Sequence, residues 1–340
     1  MTTRDPRLWP FATDSIWNMP IGSEAVYIPA GIQPATAWGM TGDEDILILQ
    51  PDAPLTAVFH NAAGWSKRSR CAPEGGALFT APIPADFLVP HALPHTPNAC
   101  AAILMPDGRT LKQTQPFHRC EPGGPCTSGY VFEDADLYGP GIGGAHGASK
   151  LSSIGGTLRL GELVPGGVIR HVLKVNVFGA RNLWFDSAKA QNWRWPARSC
   201  DSYAGDPTSP IRYGGRNPTL RMGALLALHG NEDLDRLALE TDPARILAQA
   251  LQDYGAYVVD DTAWDVYGLC VEWSPAGLVY DEFAQAWGFS FNPESREAAW
   301  ARDMDRIFTR LHVIDNNAPD RVGGGGAPRV ALAPELRPMS

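Results

Sequence analysis

Residues 141–177 constrain this chain most. Gly141-Ile142-Gly143-Gly144-Ala145-His146-Gly147 is a glycine-rich loop that presents one imidazole. A short apolar segment follows and ends at Glu162. Pro165-Gly166-Gly167 then reverses the chain, and residues 169–178 alternate between two kinds of side chain. Small residues let backbone approach backbone or ligand closely. Alternation with period two marks a strand with two different faces. The stretch therefore predicts a β-rich body, with His146, Glu162, Arg170, His171, Lys174 and Asn176 at the edges of one hairpin, arranged like the wall of a site.

Composition narrows the class. At 44% hydrophobic residues in 340, a sizeable core is available and global disorder is excluded. The 28 Lys and Arg against 37 Asp and Glu leave a net charge of −9. The densest basic run is Lys67-Arg68-Ser69-Arg70, so no nucleic-acid footprint is expected. No apolar run reaches the about 18 residues that a membrane helix needs, so no membrane span is expected. No hydrophobic leader follows Met1-Thr2-Thr3-Arg4-Asp5. With 6 cysteines, 30 prolines and 35 glycines, the chain nevertheless reads as loop-rich and secreted or periplasmic. Cys120 and Cys126 bracket Glu-Pro-Gly-Gly-Pro, a tight loop that a disulfide can close; the other pairings stay open. No Cys-x-x-Cys pair occurs, and no second His stands at helical or strand spacing from His146. No metal and no cofactor are expected on that reading.

Along the chain, residues 1–40 read as an extended N-terminal arm, rich in Pro, Gly and Trp, packed on the core. Residues 41–315 read as one β-rich catalytic or binding domain, and 316–340 as a flexible Gly/Pro/Ala-rich tail. Short strands are expected at 45–50, 55–60, 76–82, 99–105, 110–115 and 130–134. Asp107-Gly108 makes the tight turn between two of them. Asp242-Pro243 gives an N-cap with Pro at the first position of a helix that Gly255 ends, after which 256–259 forms a strand at once. Residues 264–273 then pair back on it. A second helix spans about 294–311, with Trp300, Met304, Ile307, Phe308 and Leu311 inward. The expected fold is mainly β: an antiparallel sandwich or jelly-roll-like body with two peripheral helices in its second half.

The chemistry-bearing candidates follow from type and place. His146 in its loop is a general acid/base candidate, set against a turn-stabilising role. His171 falls on the apolar face of its strand, where a carboxylate partner would hold its tautomer. The reversal near Gly166 brings Glu162 within diagonal reach. Asp260 and Asp261 end a strand beside Trp264, the alternative being an ordinary acidic turn. Asp14 either caps a turn or joins the site. The 11 tryptophans are rich usage. Among them Trp17, Trp193, Trp195 and Trp264, with Tyr203, are candidate sugar platforms or core anchors.

Asp14-Ser15-Ile16-Trp17-Asn18, Gly155-Gly156-Thr157-Leu158-Arg159-Leu160-Gly161-Glu162-Leu163 with Ile169-Arg170-His171-Val172-Leu173, and Leu251-Gln252-Asp253-Tyr254-Gly255-Ala256-Tyr257-Val258-Val259-Asp260 resemble blocks of a broad group of exported bacterial and fungal β-rich proteins. These share an Asp-Ser-x-Trp-Asn arm, an Ile-x-His-Ala-Leu strand and a Tyr-Gly-x-x-x-x-Asp step. Val172 stands where many members carry Ala. The group has no settled activity. The resemblance implies export and a common β-rich scaffold, and it raises Asp14, Glu162, His171 and Asp260 as candidates.

The leading expectation is a secreted glycoside hydrolase acting on a polysaccharide or oligosaccharide through a carboxylate pair. Its acids come from Asp14, Glu162, Asp260 and Asp261, with His146 and His171 tuning them. Trp17, Arg170, Lys174, Asn176, Trp193, Trp195, Tyr203 and Trp264 would hold substrate. A polysaccharide lyase is the alternative, with a Tyr, His or Lys base and Arg170 or Asn176 neutralising a uronate. A non-catalytic glycan-binding protein is the third reading. No Gly-x-Ser-x-Gly elbow supports serine chemistry.

Overall fold

The computed structural model describes residues 3–66, 68–90 and 98–338. Its first strands are β1 (Tyr27–Pro29), β2 (Met40–Ile48), β3 (Leu55–His60), β4 (Ala77–Pro82), β5 (Cys100–Leu104), β6 (Thr110–His118), β7 (Cys126–Val131), β8 (Ala135–Asp136) and β9 (Gly143–His146). The second half adds β10 (Leu173–Val177), β11 (Leu225–Ala227), β12 (Ala256–Asp261), β13 (Tyr267–Ser274), β14 (Gly277–Leu278) and β15 (His312–Ile314). The helices are α1 (Gly179–Asn182), α2 (Asp242–Asp253), α3 (Val279–Trp287) and α4 (Ala299–Phe308).

The expected antiparallel sandwich does not form. A single mixed sheet of 14 strands runs β1-β15-β11-β12-β10-β13-β2-β5-β6-β7-β3-β4, with β14 on β13 and β8 on β6. Strand makes up 27% and helix 13% of the chain, so the architecture is mixed α/β rather than all-β. β10 runs parallel to β12, and β2 runs parallel to both β13 and β5. Parallel neighbours need long crossovers. The helices and irregular segments that make those crossovers cover the two faces of one sheet instead of building a second. Residues 264–273 do not pair back on β12 either, because β10 lies between β12 and β13.

Central strands such as β10 and β12 are buried along their whole length, as parallel strands covered on both faces must be. One face packs Leu173, Val175, Val258, Leu269 and Val271 against Leu251 of α2, Phe283 of α3 and Trp300 and Met304 of α4. The other packs Leu47, Ala102, Tyr257 and Val259 under Phe11, Ile16, Trp17 and Ile21 of the arm. Two helices were expected and α3 was not. It follows the β14 turn with no side-chain cap on Leu278, so its start carries no local signal, although Gly288 ends it at a φ of 77°. Among the described residues, no helix is long and apolar enough to cross a membrane.

Residues 316–338, read from composition as a flexible tail, lie along the arm. Gly22 N–H donates to the Gly323 carbonyl at 2.9 Å, and Arg329 pairs with Asp253 at 2.9 Å and Gln252 at 2.7 Å. An irregular arm has backbone donors to satisfy, and the tail supplies acceptors. The disulfide also differs from expectation: Cys71 bonds Cys120, with Cα atoms 5.5 Å apart. Cys126 opens β7 opposite Val58, and the strand's alternation buries its thiol in the core rather than turning it to Cys120.

Candidate active site

Sheet register gathers polar groups on the face beneath the glycine-rich loop. Asp43 of β2 pairs with Cys270 of β13, Asp45 with Cys100 of β5, and Asn176 of β10 with Asp260 of β12. Paired residues on neighbouring strands share a face, so three aspartates, two thiols, Lys174 and Asn176 converge. The loop closes on them because its glycines permit it. A Cβ on Gly147, at φ +50°, would meet Asp260 Oδ2 at 2.3 Å, and one on Gly156, at φ +77°, would meet Trp17 at 2.6 Å and Lys174 at 2.8 Å.

The inner group centres on Asp45, which is fully buried. Lys174 Nζ lies 2.8 Å from Asp45 Oδ2, Thr157 Oγ1 donates to the same oxygen at 2.6 Å, and His146 Nδ1 lies 3.0 Å from Oδ1. Lys174 also donates to the Ser152 carbonyl at 2.9 Å. Burial alone would neutralise both groups of the ion pair. Their mutual attraction outweighs it, so the Asp45 carboxyl is held below its usual range and the Lys174 ammonium above its own. The far nitrogen of His146, Nε2, lies 3.4 Å from Cys270 Sγ and 3.6 Å from Asp43 Oδ2. Burial pushes both the Cys270 and Cys100 thiols well up.

The outer group reaches the surface. Asp43 Oδ2 accepts from Asn176 at 2.8 Å and from Asn98 at 2.9 Å, and the same Asn98 nitrogen donates to Asp260 Oδ2 at 3.0 Å. Trp65 Nε1 donates to the Asn98 carbonyl at 3.0 Å and so fixes which way the amide points. Asp261 accepts from Gly179 N–H at 2.7 Å and Tyr203 at 3.1 Å, while Tyr213 donates to Asp201 at 2.5 Å. Burial raises the Asp260 carboxyl well above its range, and the charges of Asp201 and Asp43 add to this. Burial likewise pushes Asp261 up to about 7. Beside the outer group stand aromatic rings, with Trp38, Trp65 and Tyr130 exposed and Trp264 half-buried. Trp65 stacks on Tyr130 with centroids 6.0 Å apart, and Trp38 lies 6.0 Å from Trp264. A groove of about 620 Å³ runs beside α1 and is lined in part by Gln33, Arg181, Asn182 and Arg216. Its wall, residues 180–182 and 214, adjoins the residues that hold Asp261 and Asp201.

No family model, curated protein or solved structure matches this chain. Its chemistry is therefore read from this geometry.

The structure brings six of the expected residues into this one region: His146, Lys174, Asn176, Asp260, Asp261 and Tyr203, with Trp264 on the rim. Two roles change. His146 was read as an exposed loop imidazole and Lys174 as a substrate contact, yet both are fully buried. Trp17 is a core anchor rather than a sugar platform. It is 1% exposed, donates to the Gly141 carbonyl at 2.7 Å and meets Tyr257 edge-on. Trp193 and Trp195 pack against the core clusters, and Asp14 and Arg170 are exposed outside the cluster. Asp43, Asp45, Asn98, Trp65 and Cys270 escape sequence reading. Each sits in ordinary strand or loop context, and only the Asp43-Glu44-Asp45 run within β2 offers a signal: charges where a buried strand should be apolar.

Glu162 and His171 form a separate pair at the other end of β10. His171 Nε2 lies 3.0 Å from Glu162, and Nδ1 lies 2.9 Å from the Val172 carbonyl. Burial opposes the imidazolium, but Glu162 and that carbonyl outweigh it, so the His171 pKa is raised. A raised folded value gives stability that is complete below the ordinary imidazole value of about 6.5 and fades as pH rises through the folded value. Glu162→Gln should therefore cost about 1–3 kcal/mol near pH 6. The cost should shrink at alkaline pH in thermal melts. An equal cost at both pH values would remove the charge from this account.

Proposed function

We propose that this chain is an exported carbohydrate-active hydrolase that cleaves a glycosidic bond between Asp43 and Asp260. The observation that carries the reading is the Asn98 amide: its nitrogen binds both carboxyls while an exposed indole holds its oxygen. Bonds of 2.9 and 3.0 Å to one nitrogen keep the two oxygens closer together than the about 6.5–9.5 Å at which inverting glycosidases hold their carboxyls. Asp260, kept protonated by burial and neighbouring charge, is the group to protonate the leaving oxygen. Asp43 is the second carboxylate at the bond. Trp65 and Tyr130, and the separate pair Trp38 and Trp264, offer flat apolar faces to sugar C–H surfaces.

This moves the acid pair away from Glu162, which is engaged with His171. The lyase alternative finds less support, because Lys174 and His146 are committed to Asp45 inside the sheet and Arg170 lies elsewhere. Export is supported by the Cys71–Cys120 disulfide and by the short blocks resembling exported proteins.

The test is incubation with a polysaccharide panel, read by product mass. Products that have gained water and new reducing ends are expected. Unsaturated products without added water would replace hydrolysis with elimination. Retention of a glycan with no product from any member of the panel would reduce the protein to a binding module.

A further inference from the structure

The triangle of Asp43, His146 and Cys270 has a property that proton delivery by Asp260 does not use. One ligand atom from each lies within 4.8 Å of the others. We propose that these three side chains hold a divalent transition-metal ion of the zinc class, with a further coordination position on the Asp43 side.

Separations come first. His146 Nε2 stands 3.4 Å from Cys270 Sγ and 3.6 Å from Asp43 Oδ2. Ligands at about 2.0 Å for nitrogen and 2.3 Å for sulfur around a tetrahedral ion lie about 3.3–3.6 Å apart. The tautomer is set as a ligand needs it. Asp45 takes Lys174 and Thr157 on Oδ2 and accepts from His146 Nδ1 through Oδ1, which leaves Nε2 as the atom that faces Asp43 and Cys270. A carboxylate behind a histidine in this way is the usual outer partner of a metal-bound imidazole. Asn98 and Asn176 both donate to Asp43 Oδ2 and orient the carboxylate.

Charge agrees. A thiolate, a carboxylate and a neutral imidazole together balance a dication, while Asp45 and Lys174 already balance each other. Burial therefore leaves no net charge at the site. On binding, the Cys270 S–H bond breaks, its proton passes to solvent and the S–metal bond forms, with no change of oxidation state. The sulfur–nitrogen–oxygen set suits zinc and cobalt and not calcium or magnesium. The neighbouring set Asp45, Cys100 and His146 is weaker, because the ring atom facing Asp45 is Nδ1, which carries the proton, and Lys174 occupies the other Asp45 oxygen.

Openness sets the direction. The side chain of Asp43 is 10% exposed and that of His146 is 0%, so the further position lies on the Asp43 side.

The test uses the full chain, purified without chelator and measured for metal. It is then stripped with a chelator and titrated with Co²⁺ alone. Expected are near-stoichiometric zinc-class metal as purified and a thiolate-to-cobalt charge-transfer band with visible bands of four-coordinate cobalt. Cys270→Ser should abolish the charge-transfer band and Cys100→Ser should keep it. Asp43→Asn, which preserves shape and acceptor, should weaken binding and reads the site if Cys270→Ser fails to fold. A folded wild type without a thiolate–cobalt band, or Cys270→Ser binding as tightly as wild type, would overturn the site. Metal retained by an inactive Asp260→Asn variant supports it. A metal-free wild type that still hydrolyses glycan would sink the metal site and leave the hydrolase reading standing.

Discussion

Asp260→Asn is expected to lower kcat by about 10²–10⁴-fold, the usual contribution of one positioned proton donor, without loss of the fold. The amide keeps the size of the side chain and an acceptor for Asn98, but it has no proton to give. Stability should move the other way from activity. A carboxyl whose folded pKa is raised contributes stability that is present below the ordinary carboxylate range and lost as pH rises through the folded value. Removing it should make the variant melt higher than wild type at alkaline pH, the difference narrowing in acid. The pH profile supplies a second readout. The charge of Asp261 helps to raise Asp260, so Asp261→Asn should shift the alkaline limb of kcat to lower pH. Full turnover by Asp260→Asn would end the assignment. A variant that is inactive because it is unfolded would show in its melting curve.

Lys174→Met should cost about 3–5 kcal/mol of stability, the usual penalty for leaving one buried charge without its partner. Lys174 and Asp45 are both fully buried and 2.8 Å apart. Methionine fills much of the lysine stem's volume, but the Asp45 carboxylate is then left to Thr157 and His146 alone. Adding Asp45→Asn should recover part of the loss, since the amide oxygen still accepts from His146 and no bare charge remains. Denaturant melts of the two single variants and the double variant measure this. A Lys174→Met variant within 1 kcal/mol of wild type, a margin set by the about 0–1 kcal/mol typical of surface ion pairs, would mean that water reaches the pair.

The local elements were legible because their causes are local. Asp107-Gly108 sets the β5–β6 hairpin, and β3 falls on the alternating run at 55–60. Pro243 and Gly255 bracket α2, and the inward stripe of Trp300, Met304, Ile307 and Phe308 is the buried face of α4. Helix α3 was not legible, since no capping side chain announces it. The candidate site was legible in part. The Asp260-Asp261 step and the His146 loop belong to it. Glu162 and His171 do meet, as the reversal at Gly166 requires, but they meet at the wrong end of β10.

Short-range pattern, then, settled where several strands, two helices and the turns lie and where the titratable groups sit along the chain, but not that the architecture is mixed α/β. It could not settle which of those groups touch. Asp43, Asn98, His146, Asp260 and Cys270 come from five separated segments, and their meeting depends on β2 lying parallel between β13 and β5 and on β10 entering between β12 and β13. That register arises from burying both faces of one sheet at once. It is a property of the assembled core, and no spacing within any single segment encodes it.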